Sequence, residues 1–160
     1  MHLLPNRGAV VNELSRAEMQ ELYLLRQILE REAVRRSAER TSPERTSPEQ
    51  VELLVAMLDR MEAPGETPPA DWQELHTAFH LQLYEAAGFP RMSRIVANLR
   101  NIVEPYSRIY VQLPERYAQA KREHRELVAA CGGNDPEHAE RVLATHLSSP
   151  SQALLNVLPR

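Results

Sequence analysis

The chain has 160 residues, the size of one domain, and 42% of them are hydrophobic, enough for a single buried core. Its net charge of −3 argues against nucleic-acid binding by this chain alone, because neutralising phosphates takes a basic face. Its one cysteine, Cys131, excludes an internal disulfide, and no apolar run approaches the length of a membrane span.

Aromatic residues make up only 5% and there are five glycines, whereas Leu, Ala, Glu and Arg dominate. That composition predicts an all-α protein rather than a sheet. The first ten residues lack the apolar core of a signal peptide, which predicts a cytoplasmic protein.

Residues 1–14 carry a turn signal, Asn6-Arg7-Gly8, followed by Ala9-Val10-Val11, and read as a leader and linker rather than an independent element. Ser15 with Glu18 forms a capping box for a long first helix reaching about Arg40. Its apolar stripe is Met19, Leu22, Leu25, Ile28, Leu29, Ala33 and Val34. Glu39 to Pro43 is then repeated as Glu44 to Pro48, a five-residue duplication that reads as a slipped loop. Ser47 caps the second helix and Pro48 takes its first position; Val51, Leu54, Val55 and Leu58 face inward.

After a proline-rich loop, Ala63 to Ala70, Asp71 and Glu74 make a second capping box and open a third helix, which stops at Gly88. Pro90 opens a fourth, with a stripe of Ile95, Leu99, Ile102, Val103, Tyr106 and Tyr110, and Pro105 inside it predicts a kink. Pro114 opens a fifth helix, stopped at Gly132-Gly133, and Asp135-Pro136 opens a sixth as far as about Leu147. Pro150 predicts an interruption there, followed by a short final turn. The sum is an all-α, antiparallel bundle of six to seven helices.

Four histidines lie at suggestive places. His76 and His80 are four apart and project from one face of the third helix. His124 lies about nine residues before the turn at Gly133 and His146 about thirteen after it, so at about 1.5 Å per residue the two sit at similar depth on neighbouring helices. Imidazole is the commonest metal ligand and suits zinc, nickel, copper and iron. Each histidine alone reads equally as a packed core residue. Four neutral rings converging in a core without a cation, however, leave many polar atoms in need of partners. His138 and His2 read as solvent residues.

The chain resembles the C-terminal ligand-binding domain of GntR-family transcription regulators of the FadR type, the FCD domain, from about Ser15 to Leu158. The first helix, Leu22 to Glu30, is similar to the family's Tyr-x-x-Arg-x-x-Leu-Glu opening. The stretch Phe79-His80-Leu81-Gln82-Leu83-Tyr84-Glu85-Ala86-Ala87-Gly88-Phe89-Pro90 is similar to its Phe-His-x-x-Leu-x-x-Ala-x-Gly-Asn-Pro, and His124-Arg125-Glu126-Leu127 and His146 follow at the expected distances. Residues 1–14 resemble the end of the winged helix-turn-helix domain that precedes FCD domains, leaving residues 15–160 as the effector-binding domain. The DNA-reading part is absent from this chain.

The resemblance implies a divalent metal held by His80, His124 and His146, with His76 standing where the family has an aspartate. An all-imidazole site favours Zn²⁺ or Ni²⁺ over Mg²⁺ or Ca²⁺. It further implies a small organic acid as effector beside the metal, a homodimer, and DNA contact only through the absent domain. Arg26 matches the family's arginine and either grips the effector's carboxylate or pairs with Glu30 one turn on. Asn98 and Tyr106 either bond the effector or serve packing and surface. Two other classes stay open. His76-Thr77-Ala78-Phe79-His80 has the ligand spacing of a zinc hydrolase helix, though Thr77 stands where such a helix needs its glutamate. The third is a metal-free helical interaction domain. The resemblance favours a sensor without catalysis.

Overall fold

The computed structural model describes residues 14–39, 46–62, 68 and 71–157. The leader at 1–13, most of the proline-rich loop and most of the duplication lie outside the described residues. Among those described there are six helices and no strand: α1 (Arg16–Ala38), α2 (Pro48–Met61), α3 (Trp72–Glu85), α4 (Pro90–Val111), α5 (Pro114–Gly132) and α6 (Pro136–Val157). None is long and apolar enough to cross a membrane.

Local chemistry sets most of the boundaries. Ser15 accepts from the Glu18 amide while Glu18 reaches back to the Ser15 amide, closing the capping box expected for α1. Ser47 accepts from the Gln50 amide ahead of Pro48. The chain returning from the duplicated loop is fastened at Thr46, whose amide and hydroxyl both donate to the Ser37 carbonyl. Gly88 takes a positive φ of 70° just beyond α3. At the end of α5 the left-handed residue is Asn134, with φ 57°, rather than either glycine.

Two local expectations fail. Asp71 makes no side-chain cap: its ψ of 7° departs from the extended backbone that lets a capping carboxylate reach the following amides. Pro150 does not interrupt α6, which runs through it to Val157. The missing amide bond is offset by Leu147 and Leu154, buried on either side of the proline, and by Arg16, which donates to the Leu155 carbonyl. Pro105 likewise stands inside α4 without ending it.

The long helices run antiparallel in pairs. Arg31 on α1 pairs with Glu140 on α6, Gln27 reaches Ala144 and Ser148, and Arg16 reaches Leu155. On the other flank of α6, His138 meets Glu126 of α5, His146 meets Glu123, and Gln119 bonds Ser149. The main core joins α2, α3, α5 and α6 through Leu54, Leu58, Phe79, Leu83, Leu127 and Leu143. A smaller cluster of Met19, Tyr23, Val103 and Leu154 closes the end where α1 begins.

The apolar stripe expected on α1 is rotated. Leu25 and Ile28 are exposed, and the buried face carries Met19, Tyr23, Arg26, Glu30, Ala33 and Val34. On α4, Ile95 and Ile102 are exposed while Val96, Leu99, Arg100 and Val103 are buried. In α2, Val55 is exposed and Met61 is buried. The first two shifts share one cause. Arg26, Glu30 and Arg100 satisfy one another inside the bundle, so helix faces carrying charge turn inward.

Candidate metal centre and the adjoining cavity

The α3 face that points into the bundle is a ladder at four-residue steps: Trp72, His76, His80 and Tyr84, all buried. Trp72 stacks on the His76 ring, centroids 4.3 Å apart and planes 15° from parallel. Across from the ladder stand His124 of α5 and His146 of α6, their rings 4.7 Å apart. One nitrogen from each of the four imidazoles lies within 4.8 Å of the others. The depth matching of His124 and His146 read from the helix rise therefore brings the rings together, and His76 and His80 join them from α3.

Each ring but one is oriented by a partner. His80 Nδ1 lies 3.1 Å from the Tyr84 hydroxyl, which donates to Glu30 Oε2 at 2.7 Å. His146 Nδ1 lies 2.8 Å from Glu123 Oε2. His76 Nδ1 accepts from Arg100 Nη2 at 3.2 Å, and its Nε2 lies 3.1 Å from His80 Nε2. His124 has no hydrogen-bond partner on either ring nitrogen, although the residue is fully buried. An orphaned imidazole at the meeting point of three others fits a coordinated cation, because leaving it bare costs about 1–3 kcal/mol. Four nitrogen donors without a carboxylate suit zinc or nickel.

Burial, reinforced by neighbouring cationic and imidazole groups, pushes His76, His80 and His124 well below the ordinary imidazole range. The three rings are therefore neutral near pH 7, the state a metal requires. Behind them lies a buried charge network. Glu30 accepts from Arg26 Nε at 2.6 Å, from Arg100 Nη1 at 3.0 Å and from Tyr84. Burial alone would raise the Glu30 carboxyl, but the two guanidiniums outweigh it and hold it below the usual carboxylate range.

A small cavity, about 50 Å³, adjoins the rings and is walled by His76 and His146 but not by His80 or His124. Arg26, Arg116, Tyr110, Ser107, Gln119 and Ser149 stand on its walls. Of the two alternatives for Arg26, the pairing with Glu30 is present, and the residue also lines the cavity. Asn98 does not reach the cavity; it is exposed on α4, one residue before Leu99, which takes the buried face. Tyr106 is also elsewhere, its hydroxyl accepting from the Leu14 amide beside the smaller cluster. The α4 residues that line the cavity are Ser107, Tyr110 and Val111, about one turn further along. His138, expected in solvent, is partly covered and pairs with Glu126.

Sequence reasoning found Glu30 as a partner for Arg26 but missed Tyr84, Arg100, Glu123 and Trp72. Spacing would have found two of them, because Trp72 and Tyr84 extend the His76–His80 ladder by one step each way. Arg100 carried no such signal.

The model of the FCD domain matches residues 21–149. The chain belongs to the FCD family. This is the C-terminal, effector-binding part of GntR-type transcription regulators. The FCD fold is shared with E. coli McbR/YncC, at a TM-score of 0.75 and 18% identity, over 96% of this chain and 76% of that one. No curated protein sequence matches this FCD chain.

Proposed function

We propose that this FCD domain is a sensor without catalysis: it holds a divalent cation, Zn²⁺ or Ni²⁺, among its buried histidines, and a small carboxylate in the adjoining cavity alters the set of its helices. The observation that carries the reading is His124, whose two ring nitrogens are buried without a partner amid three other imidazoles. The cation would supply a concentrated positive charge, and an acid entering the cavity meets it where water is scarce. Arg26 and Arg116 on the cavity walls add guanidinium forks suited to a carboxylate.

Family membership supports a regulatory role in the cytoplasm, with two copies acting together and DNA read by a winged helix-turn-helix domain. Ligand binding changes DNA affinity only if it favours one arrangement of the helices over another. Hydrolysis finds no support in the site. Glu30 is locked by two arginines and a tyrosine and Glu123 is bonded to His146, so neither is free to act as a base.

The test is the metal content of the purified protein by mass spectrometry, together with any co-purified small acid. Near-stoichiometric zinc or nickel, removable by chelator and lost in His124→Ala, is the expected result. Protein that stays metal-free when offered both ions leaves only the metal-free interaction domain.

A further inference from the structure

The four imidazoles are not equivalent, and their hydrogen bonds say which nitrogens carry protons. A guanidinium has donors and no acceptor. Arg100 donates to His76 Nδ1, so that nitrogen presents its lone pair to Arg100, and the proton of the neutral ring sits on Nε2. The hydroxyl of Tyr84 gives its own proton to Glu30, so toward His80 it accepts; His80 carries its proton on Nδ1 and its Nε2 is bare. His146 donates from Nδ1 to the Glu123 carboxylate and is likewise bare at Nε2. The 3.1 Å contact between His76 Nε2 and His80 Nε2 then has one consistent sense, with His76 donating and His80 accepting. Glu30, Tyr84, His80, His76 and Arg100 form a closed circuit in which every bond runs from a donor to an acceptor.

We propose that His76 is not a fourth ligand but an N–H donor, fixed in that role by Arg100, so that His80, His124 and His146 hold the cation and His76 binds an oxygen of the effector acid. The proposal rests on the metal reading above. To become a ligand through Nε2, His76 would move its proton to Nδ1 and set it against the Arg100 N–H, donor facing donor in a dry site. Arg100 cannot withdraw freely, because its other Nη is bonded to Glu30 at 3.0 Å and the residue is buried. Nor can the His76 ring turn freely beneath Trp72. A cation taking His80 Nε2 removes the acceptor that His76 now uses. His76 and His146 are the two rings that wall the cavity, so the ring that carries the freed N–H borders the space open to the acid.

Long-range proton–nitrogen NMR correlations on the metal-free domain read the tautomers directly. His76 is expected to carry its proton on Nε2, with His80 and His146 carrying theirs on Nδ1; a His76 ring protonated on Nδ1 overturns the proposal. Titration with Co²⁺ alone, then with acetate, separates the roles. His76→Phe keeps the stacking ring and is expected to retain the cobalt spectrum of the unaltered protein and its affinity within about 10-fold, whereas His124→Phe loses more than about 100-fold. Acetate binding to the cobalt-loaded His76→Phe protein is expected to weaken by about 10-fold or more, the loss of one charge-assisted hydrogen bond. Cobalt lost from His76→Phe as from His124→Phe makes His76 a ligand and sinks the proposal, and unchanged acetate binding removes its donor role. If the unaltered protein takes up no cobalt, the metal reading itself fails and carries this proposal with it.

Discussion

His146 and Glu123 are joined across the α5–α6 seam, ring Nδ1 to carboxylate Oε2 at 2.8 Å, which leaves the opposite ring nitrogen bare toward the other imidazoles. Burial opposes the charge on Glu123, but the bond and charge of His146, the bond from Gln119 and nearby Arg122 together outweigh it and hold the carboxyl below its usual range. A carboxylate behind a ligating histidine fixes its tautomer and raises its basicity. Glu123→Gln is therefore expected to weaken zinc binding by about 10–100-fold without unfolding the domain. Competition with a chromophoric chelator measures it, and an affinity equal to that of the unaltered protein counts against the orienting role.

Glu30 neutralises two buried guanidiniums at once, those of Arg26 and Arg100. Glu30→Gln leaves both charges in the core without a counter-ion, a change that typically costs about 3–5 kcal/mol. Urea unfolding followed by circular dichroism should show the midpoint fall accordingly. A loss below about 1 kcal/mol, the scale of an exposed pair, would falsify the view that this network is dry.

Metal-free protein should lose stability on mild acidification. His76, His80 and His124 are held by burial well below the ordinary imidazole range, whereas the same rings in the unfolded chain take up protons below about pH 6.5. Their contribution is fully present above that value and is lost as the pH falls through it, at up to about 1.4 kcal/mol per pH unit for each ring. Urea midpoints at pH 7.5 and pH 5.5 test this, and equal midpoints would mean that the rings are hydrated.

Zinc or nickel at a hundredfold excess over its Kd should add about 2.7 kcal/mol of stability. Thermal scans with and without the ion, and after chelation, should show Tm rise and return. An ion that leaves Tm unmoved at every concentration does not bind the native fold.

The architecture was legible in the sequence because caps and breakers are local. Ser15, Ser47, Pro48, Pro90, Pro114 and Gly88 mark helix ends that the fold keeps. The histidine quartet was legible too, since the rise of a helix converts spacing into depth. What hydrophobic periodicity could not see was the inward face of α1, because counting apolar residues assigns Arg26 and Glu30 to the surface. Their burial depends on Arg100, 70 residues beyond Glu30, and no local pattern links them. Asn98 lies on the exposed side of α4 for a related reason: the buried Arg100 turns the helix away from the face that its apolar stripe suggests.

The helices that carry Arg100 and His146 also hold the start of α1. Tyr106 of α4 bonds the Leu14 amide, and Leu155 of α6 accepts from Arg16. On each of these two rods a proline stands between the ring cluster and that mooring, Pro105 on α4 and Pro150 on α6. Each proline deletes one rung of the backbone ladder, so both rods are softest at an intermediate joint. Strain generated among the imidazoles would thus reach residue 14 mainly as a swivel of the two rod tips.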